Sequence, residues 1–501
     1  MCGIVGIVGV EQAAQEALIA LQAVQHRGQD SSGIATIHDN RFPFLRKLGL
    51  AGQAYTAEDL TQLPGTIAVG HTRYPTAGSG NLADAQPLFY RQPGVLLAHN
   101  GNLINYDEIA NRIAEQSVHL LTRCDSEPLL CDFALNLMAL RTRDHTLEDA
   151  VEALTRTWSR VDGAYSIVVA LILDGEETLI AARDRKGVRP SVWGARNGSF
   201  IVASETPALD ALGFECQGDV GPGEAIFLRA GQTPIRKEIC SEGPAPCIFE
   251  QIYFARPDSL MEGRSVYSQR LRFGRALADE WRRKALTPDV VIPIPDTSRP
   301  AAMAVAEELG VPYREGFIKN RYTGRTFIMG SQSRRKSELR LKLNPIRSEF
   351  EGRSVLLVDD SIVRGTTLAR TIKLVRAMGS SQVHLAIYSP PVLFPCYYGI
   401  DMSTCEELAA RAFDNDPPAG GLPDDRLRRL EDRFARRLGL DSLTYLSVAG
   451  MDRAWGTSRC AACFDGRYPM PLSEERKRCI EADRRQYRDP RQFDLHPRSS
   501  Q

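Results

Sequence analysis

VLLVDDSIVRGTT, residues 355–367, reads as a buried strand that runs into an acidic turn and then into a helix. Val355 to Val358 are apolar without alternation, the pattern of a strand covered on both faces, as in a parallel sheet. The strand ends at Asp359 and Asp360, at the edge where ligands gather in open α/β sheets. Ser361 to Thr367 follow, small and hydroxyl-rich, and can wrap backbone N–H groups around a phosphate near the positive end of the next helix. Two adjacent carboxylates suit vicinal ribose hydroxyls with a divalent cation nearby. Working outward, DVVIPIP (289–295) predicts a strand and AAMAVAEELG (301–310) a helix, with another helix over 271–283 upstream. Downstream, LARTIKLVRAMG predicts a helix and VHLAIYSP a strand. Repeated strand–helix units of this kind imply a mostly parallel sheet with helices on both faces.

The first 230 or so residues follow a different grammar, with short apolar strands punctuated by glycine. Strands are expected over 4–8, 66–69, 95–98, 165–171 and 178–182, and EQAAQEALIALQAVQ carries the periodic Ala and Leu of a helix. Cys2 follows the initiator methionine, and its small side chain is compatible with methionine removal. Removal would give it a free α-amine, whose reference pKa near 8 lets it serve as base for its own thiol. No propeptide stands before it in the sequence, so methionine removal is the only maturation expected. Polar or glycine-rich patches then lie beside apolar segments: QHRGQDSSG (25–33), GHTRYPTAG (70–78), AHNGNL (98–103) and CDSE (124–127). Amide hydrolysis needs a nucleophile, an oxyanion hole and anchors for both ends of an amino acid. A guanidinium suits the α-carboxylate and an aspartate the α-ammonium. By itself, the Asn100-Gly101 pair also reads as a plain hairpin turn.

Composition narrows the partners. The 501 residues carry 62 basic and 62 acidic side chains, so no global field favours nucleic acid or an anionic membrane. No apolar run approaches the roughly 20 residues of a membrane span, and the N-terminus lacks a signal-peptide pattern. Cytoplasm is the expected compartment. Eleven cysteines, an odd number, argue against a disulfide framework.

These motifs resemble two families in series. The first 240 residues look like the α+β N-terminal-nucleophile (Ntn) glutaminase sandwich, αββα, of the amidotransferases. The resemblance implies that Cys2 attacks the side-chain amide of L-glutamine and that Asn100 and the Gly101 N–H form the oxyanion hole. It gives Arg73 and Asp125 to the two ends of the amino acid, with Arg27, Thr76 and Gly28 supporting the pocket. VLLVDDSIVRGTT is similar to the signature of the α/β type I phosphoribosyltransferase domain. That similarity assigns Asp359 and Asp360 to the ribose hydroxyls and one Mg2+, and Ser361, Ile362, Val363, Arg364, Gly365, Thr366 and Thr367 to the 5'-phosphate of phosphoribosyl pyrophosphate. PDTSRPAA (295–302) aligns with the pyrophosphate loop and places Thr297 near the metal, although the family usually has Pro-Asp-Ser-Gly or Pro-Asp-Ser-Ser. KNRYTGRTFI (319–328) resembles a closing loop whose Lys319 and Arg325 would neutralise the leaving pyrophosphate. CIFEQIYFARPDS (247–259) joins the two modules, with Tyr253 and Arg256 as candidates for transmitting closure.

Together these imply the amidophosphoribosyltransferase family, with a glutaminase domain over 2–240, a phosphoribosyltransferase domain over 260–400 and a C-terminal segment over 401–501. Members convert phosphoribosyl pyrophosphate to 5-phosphoribosylamine in the first committed step of purine synthesis. The implied partners are glutamine, phosphoribosyl pyrophosphate and inhibitory purine nucleotides, in a homotetramer or homodimer. Cys460-Ala-Ala-Cys463 cannot by spacing distinguish zinc, redox and cluster sites; the stretch from Cys460 reads CAACFDGRYP. With Cys247 and Cys396 it matches the iron-sulfur-containing branch, which implies one structural [4Fe-4S] cluster per subunit. An amidotransferase with another acceptor, or a silent nucleotide sensor on the same fold, are the competing readings.

Overall fold

The computed structural model describes residues 1–74, 82–319, 343–402 and 404–486. Two antiparallel sheets build the N-terminal part. A seven-stranded sheet centres on Gly3–Val8, which pairs with Ile67–Arg73 on one side and Ser199–Ala203 on the other. A six-stranded sheet centres on Val95–Leu103, Gly163–Leu173 and Glu176–Arg183. Their inner faces share one core in which Ile4, Val8, Ile67 and Val69 meet Leu96, Ala98, Val168 and Leu179. Residues two apart on each strand point the same way, so each strand also presents an outer apolar face. The helix Ala13–Ala23 covers the seven-stranded sheet with Ala13, Ala17, Ala20 and Leu21. Its small side chains let it approach closely: a Cβ on Gly70 would lie 3.1 Å from Leu21. Ser126–Leu140 and Leu147–Trp158 cover the other sheet with Leu129, Phe133, Leu137, Leu154 and Trp158. The layers are therefore αββα.

The second part is the expected parallel sheet. Val290–Pro293, Ser354–Asp359, Gln382–Ile387 and Ser442–Tyr445 lie in that order and all run parallel. Helices Val266–Arg282, Arg299–Leu309, Thr366–Ala377 and Asp424–Leu438 pack on its faces. In the last, Leu427, Leu430 and Phe434 are buried and belong to the sheet's core, as their i, i+3, i+7 spacing predicts. The fourth strand, only four residues long, lies too far from the signature to be read from sequence periodicity. It carries this sheet beyond residue 400. Among the described residues, no helix is long and apolar enough to cross a membrane.

Candidate functional site

Cys2 precedes the central strand of the seven-stranded sheet, and Asn100, Tyr74 and Arg27 contact it. Its backbone N–H donates to Asn100 Oδ1 at 3.1 Å, and its thiol lies 3.7 Å from the Tyr74 carbonyl. Asn100 and Gly101 lie within the strand Val95–Leu103, opposite Ser166 and Tyr165, and not in a hairpin turn. The sheet requires glycine at 101, because a Cβ there would sit 2.1 Å from the Ala164 carbonyl oxygen. Asn100 is fully buried, and its Nδ2 has no hydrogen-bond partner among the described residues. A buried amide donor without an acceptor costs about 1–3 kcal/mol, so the fold holds this group ready for an oxygen.

Arg73 ends the strand Ile67–Arg73, is buried, and lies 3.4 Å from Asp84. Asp125 stands before the helix Ser126–Leu140, where its Oδ2 accepts from the Leu103 N–H at 2.9 Å. That bond ties Asp125 to the end of the Asn100 strand. His99 is fixed by Ser126 Oγ at 2.9 Å, and burial lowers its pKa, so it stands as a neutral supporting group. Arg27 is fully buried. Its Nε donates to the Cys2 carbonyl at 3.1 Å and its other nitrogens pair with Glu205 and, at 2.8 Å, with Glu250. Burial alone would lower the Arg27 pKa, but the two carboxylates outweigh it and raise it. Glu205 shows the converse: burial pushes up, while His26 and Arg27 pull its carboxyl well below the usual range. Thr76 lies outside the described residues.

The second cluster lies at the C-terminal edge of the parallel sheet. Asp359 closes the strand Ser354–Asp359, and the Asp360 N–H donates to its Oδ1 at 3.0 Å. Asp360 Oδ1 accepts from Ser361 Oγ at 2.6 Å. Burial, and for Asp359 the charge of its neighbour, raises both carboxyl pKa values. Gly365, at φ 72°, turns the chain into the helix Thr366–Ala377, so the loop 361–367 ends on a helix N-terminus. Arg364 lies 3.6 Å from Glu407. Thr297 sits in the neighbouring loop between the strand Val290–Pro293 and the helix Arg299–Leu309. Lys319, half exposed, pairs with Asp296 of that loop at 2.7 Å. Arg325 lies outside the described residues.

Residues 397–401 and the junction 247–259 contact the surroundings of the first cluster. Asn102 Nδ2 donates to the Tyr397 carbonyl at 3.0 Å, and the Tyr74 hydroxyl lies 3.4 Å from Asp401 Oδ2. Arg256 pairs with Asp258 while its backbone N–H donates to Glu205 at 2.9 Å. Sequence reasoning missed Glu205 and Glu250 altogether, since a lone acidic residue in an apolar stretch carries no spacing signal.

The cysteine expectation is corrected. Cys247, Cys396, Cys460 and Cys463 are all buried in one core, and Cys247 and Cys460 pair in a short parallel bridge. Yet among the described residues no group of three or more His, Cys, Asp or Glu side chains is arranged to hold a metal ion. A cluster needs thiolates. In the metal-free protein burial raises the pKa values of Cys247, Cys460 and Cys463, and the four side chains lie within an apolar core. The [4Fe-4S] cofactor, and with it the iron-sulfur branch, is therefore not supported.

Comparison with known proteins agrees with the two-part architecture. Residues 73–211 match a glutamine amidotransferase domain and residues 267–389 a phosphoribosyl transferase domain. The amidophosphoribosyltransferase of Pseudomonas aeruginosa is 42% identical over 93% of both chains. That of Escherichia coli is 45% identical over 83% of this chain and 84% of its own. Among solved structures, the glutamine phosphoribosylpyrophosphate amidotransferase of B. subtilis complexed with ADP and GMP superimposes with a TM-score of 0.81 at 34% identity, covering 95% of this chain and 98% of its own. A structure described as the allosteric regulatory enzyme of purine biosynthesis gives 0.83 at 35% identity, covering 96% and 99%. With Cys2, Arg73 and Asn100 gathered between the two antiparallel sheets, a paired-aspartate loop at the edge of the parallel sheet, and relatives aligned across both parts, the chain belongs to the amidophosphoribosyltransferase family.

Proposed function

We propose that this chain releases ammonia from glutamine at Cys2 and joins it to C1 of phosphoribosyl pyrophosphate at the Asp359–Thr367 loop. The products are 5-phosphoribosylamine, glutamate and pyrophosphate, the first committed step of purine (IMP) synthesis. The observation that carries this reading is the buried Asn100 Nδ2 beside Cys2, which has no hydrogen-bond partner among the described residues.

With Met1 removed, the Cys2 α-amine takes the thiol proton. The sulfur attacks the glutamine amide carbon, and the oxyanion that forms is met by Asn100 Nδ2 and the Gly101 N–H. The intermediate expels ammonia, which carries away the transferred proton, and leaves a glutamyl thioester; water then releases glutamate. Arg73 and Asp125 hold the α-carboxylate and α-ammonium, and Thr76 belongs to the same proposal. Arg27, already engaged by Glu205, Glu250 and the Cys2 carbonyl, fixes the nucleophile's backbone.

At the second site, Asp359 and Asp360 accept from the ribose hydroxyls, while Ser361, Ile362, Val363, Arg364, Gly365, Thr366 and Thr367 enclose the 5'-phosphate. Asp359, Asp360 and Thr297 would face magnesium carried by the diphosphate, and two buried carboxylates with raised pKa values are a pair that a divalent cation relieves. Lys319 and Arg325 would neutralise charge on the departing pyrophosphate, and a magnesium ion held there would supply the same stabilisation. Ammonia attacks C1, the bond to pyrophosphate breaks, and a proton leaves the new ammonium.

Purine nucleotides are the inhibitors in this reading, supported by the ADP and GMP of the B. subtilis relative. A homotetramer or homodimer in the cytoplasm completes it. The test is glutamate and pyrophosphate release with glutamine, magnesium and phosphoribosyl pyrophosphate. Strong stimulation of glutamate release by the phosphorylated sugar is expected. Glutamate release indifferent to it would overturn the assigned acceptor.

A further inference from the structure

The segment Glu250–Phe254 is a short π-helix between the two clusters, and its carbonyls are claimed by buried groups of the second domain. Single π-helical turns of this kind are frequent at functional sites. Arg270, fully buried on the helix Val266–Arg282, donates to the carbonyls of Gln251 at 2.9 Å, Ala255 at 2.7 Å and Tyr253 at 3.3 Å. Tyr388 takes that of Ile252. It follows the strand Gln382–Ile387, is completely buried, and stacks on Phe273 at 6.4 Å.

Tyr388 touches three functional segments at once. Its N–H donates to the Asp359 carbonyl at 3.2 Å. Its hydroxyl donates to the Ile252 carbonyl at 2.7 Å and lies 3.3 Å from the Thr297 carbonyl. One O–H proton thus faces two acceptors, one in the junction and one in the loop aligned with pyrophosphate binding. A shift of the Thr297 loop changes the competition for that proton and so the hold on Ile252. On the far side of the same segment, Glu250 accepts from Arg27, which holds the Cys2 carbonyl. Burial raises the Tyr388 pKa well above its ordinary value, so the hydroxyl stays a donor.

We propose that Tyr388 is a positioning residue that couples the sites, relaying the state of the Thr297 loop through Glu250–Phe254 and Arg27 to Cys2. The inference rests on the function proposed above. Its test is Tyr388→Phe, which removes only the hydroxyl, assayed in the full-length protein three ways: glutamate release alone, glutamate release with phosphoribosyl pyrophosphate, and pyrophosphate release with ammonium chloride as nitrogen donor. The expected result is that stimulation of glutamate release falls by about fivefold or more, the lower end of ordinary coupling between sites, while the ammonium-dependent rate holds. Amide exchange across residues 250–256 gives a second readout: phosphoribosyl pyrophosphate should slow it in the parent and not in the variant.

Undiminished stimulation with unchanged exchange would overturn the proposal. So would an equal loss of the ammonium-dependent rate, which would confine Tyr388 to the second site. If the parent itself releases no pyrophosphate with ammonium, the assignment of the second site has failed, and the coupling inference with it.

Discussion

Replacing Asn100 with alanine removes two things at once, and their sizes differ. The side chain is fully buried; Oδ1 accepts from the Cys2 N–H at 3.1 Å, and Nδ2 is without a partner among the described residues. Loss of Oδ1 leaves the part-buried Cys2 nitrogen without that acceptor, a stability cost of about 1 kcal/mol. Loss of Nδ2 removes a donor that acts only when negative charge develops on the amide oxygen. Removing one such donor typically slows turnover by about 100- to 1,000-fold, or roughly 3–4 kcal/mol of transition-state stabilisation. Because that donor is used in the transition state, kcat should carry the loss and KM for glutamine should change little. Steady-state glutamate release measures this, with ammonium-dependent pyrophosphate release as the internal control, since the second site lies on another sheet. Asn100→Asp keeps an acceptor for the Cys2 N–H but puts a second acceptor where the donor stood, so it should be at least as slow. A kcat for Asn100→Ala within about threefold of the parent would refute the oxyanion assignment, given the size expected for a true donor.

Gly101→Ala should abolish glutamate release and lower the melting temperature, because its Cβ would sit 2.1 Å from the Ala164 carbonyl oxygen and force the strands Val95–Leu103 and Gly163–Leu173 apart; a parent-like melting curve would contradict this. Asp360→Asn should end phosphoribosyl transfer yet stabilise the ligand-free protein by about 1–3 kcal/mol at neutral pH. The folded carboxyl pKa is raised by burial, so ionising it opposes folding as pH rises above 3.8, and asparagine escapes that penalty; calorimetry of both proteins at pH 7 checks it. Glu205 has the opposite sign. Its folded pKa lies below the ordinary 4.5, so its contribution is complete above that pH and fades as pH falls through the lowered value, and the stability gap between parent and Glu205→Gln should shrink on acidification below 4.5.

The acidic loop was legible because its strand is uniformly apolar and its turn is short: Val355–Val358 sit in the middle of the parallel sheet, as their pattern requires. Asn100-Gly101 was ambiguous, since the dipeptide is a good hairpin turn in isolation. Only pairing with Ser166 and Tyr165 turned it into strand. Four cysteines were legible as a family pattern, but matching positions could not state whether thiolates converge on a metal. Among the described residues the side chains form a buried apolar group without a metal-holding arrangement.

Sequence by itself determined the two chemistries, because nucleophile, anchors and phosphate loop are local motifs whose residue types follow from the groups they meet. Its continuous apolar runs also pointed to the parallel sheet, because such runs bury both faces, whereas the αββα sandwich was implied only by the family resemblance. What only the tertiary structure decided is how these parts touch. The Arg27, Glu205 and Glu250 network, and the hold of Arg270 and Tyr388 on the junction, join residues far apart in the chain. Buried charges and carbonyls must find partners wherever the fold brings them, and no spacing along the chain records that choice.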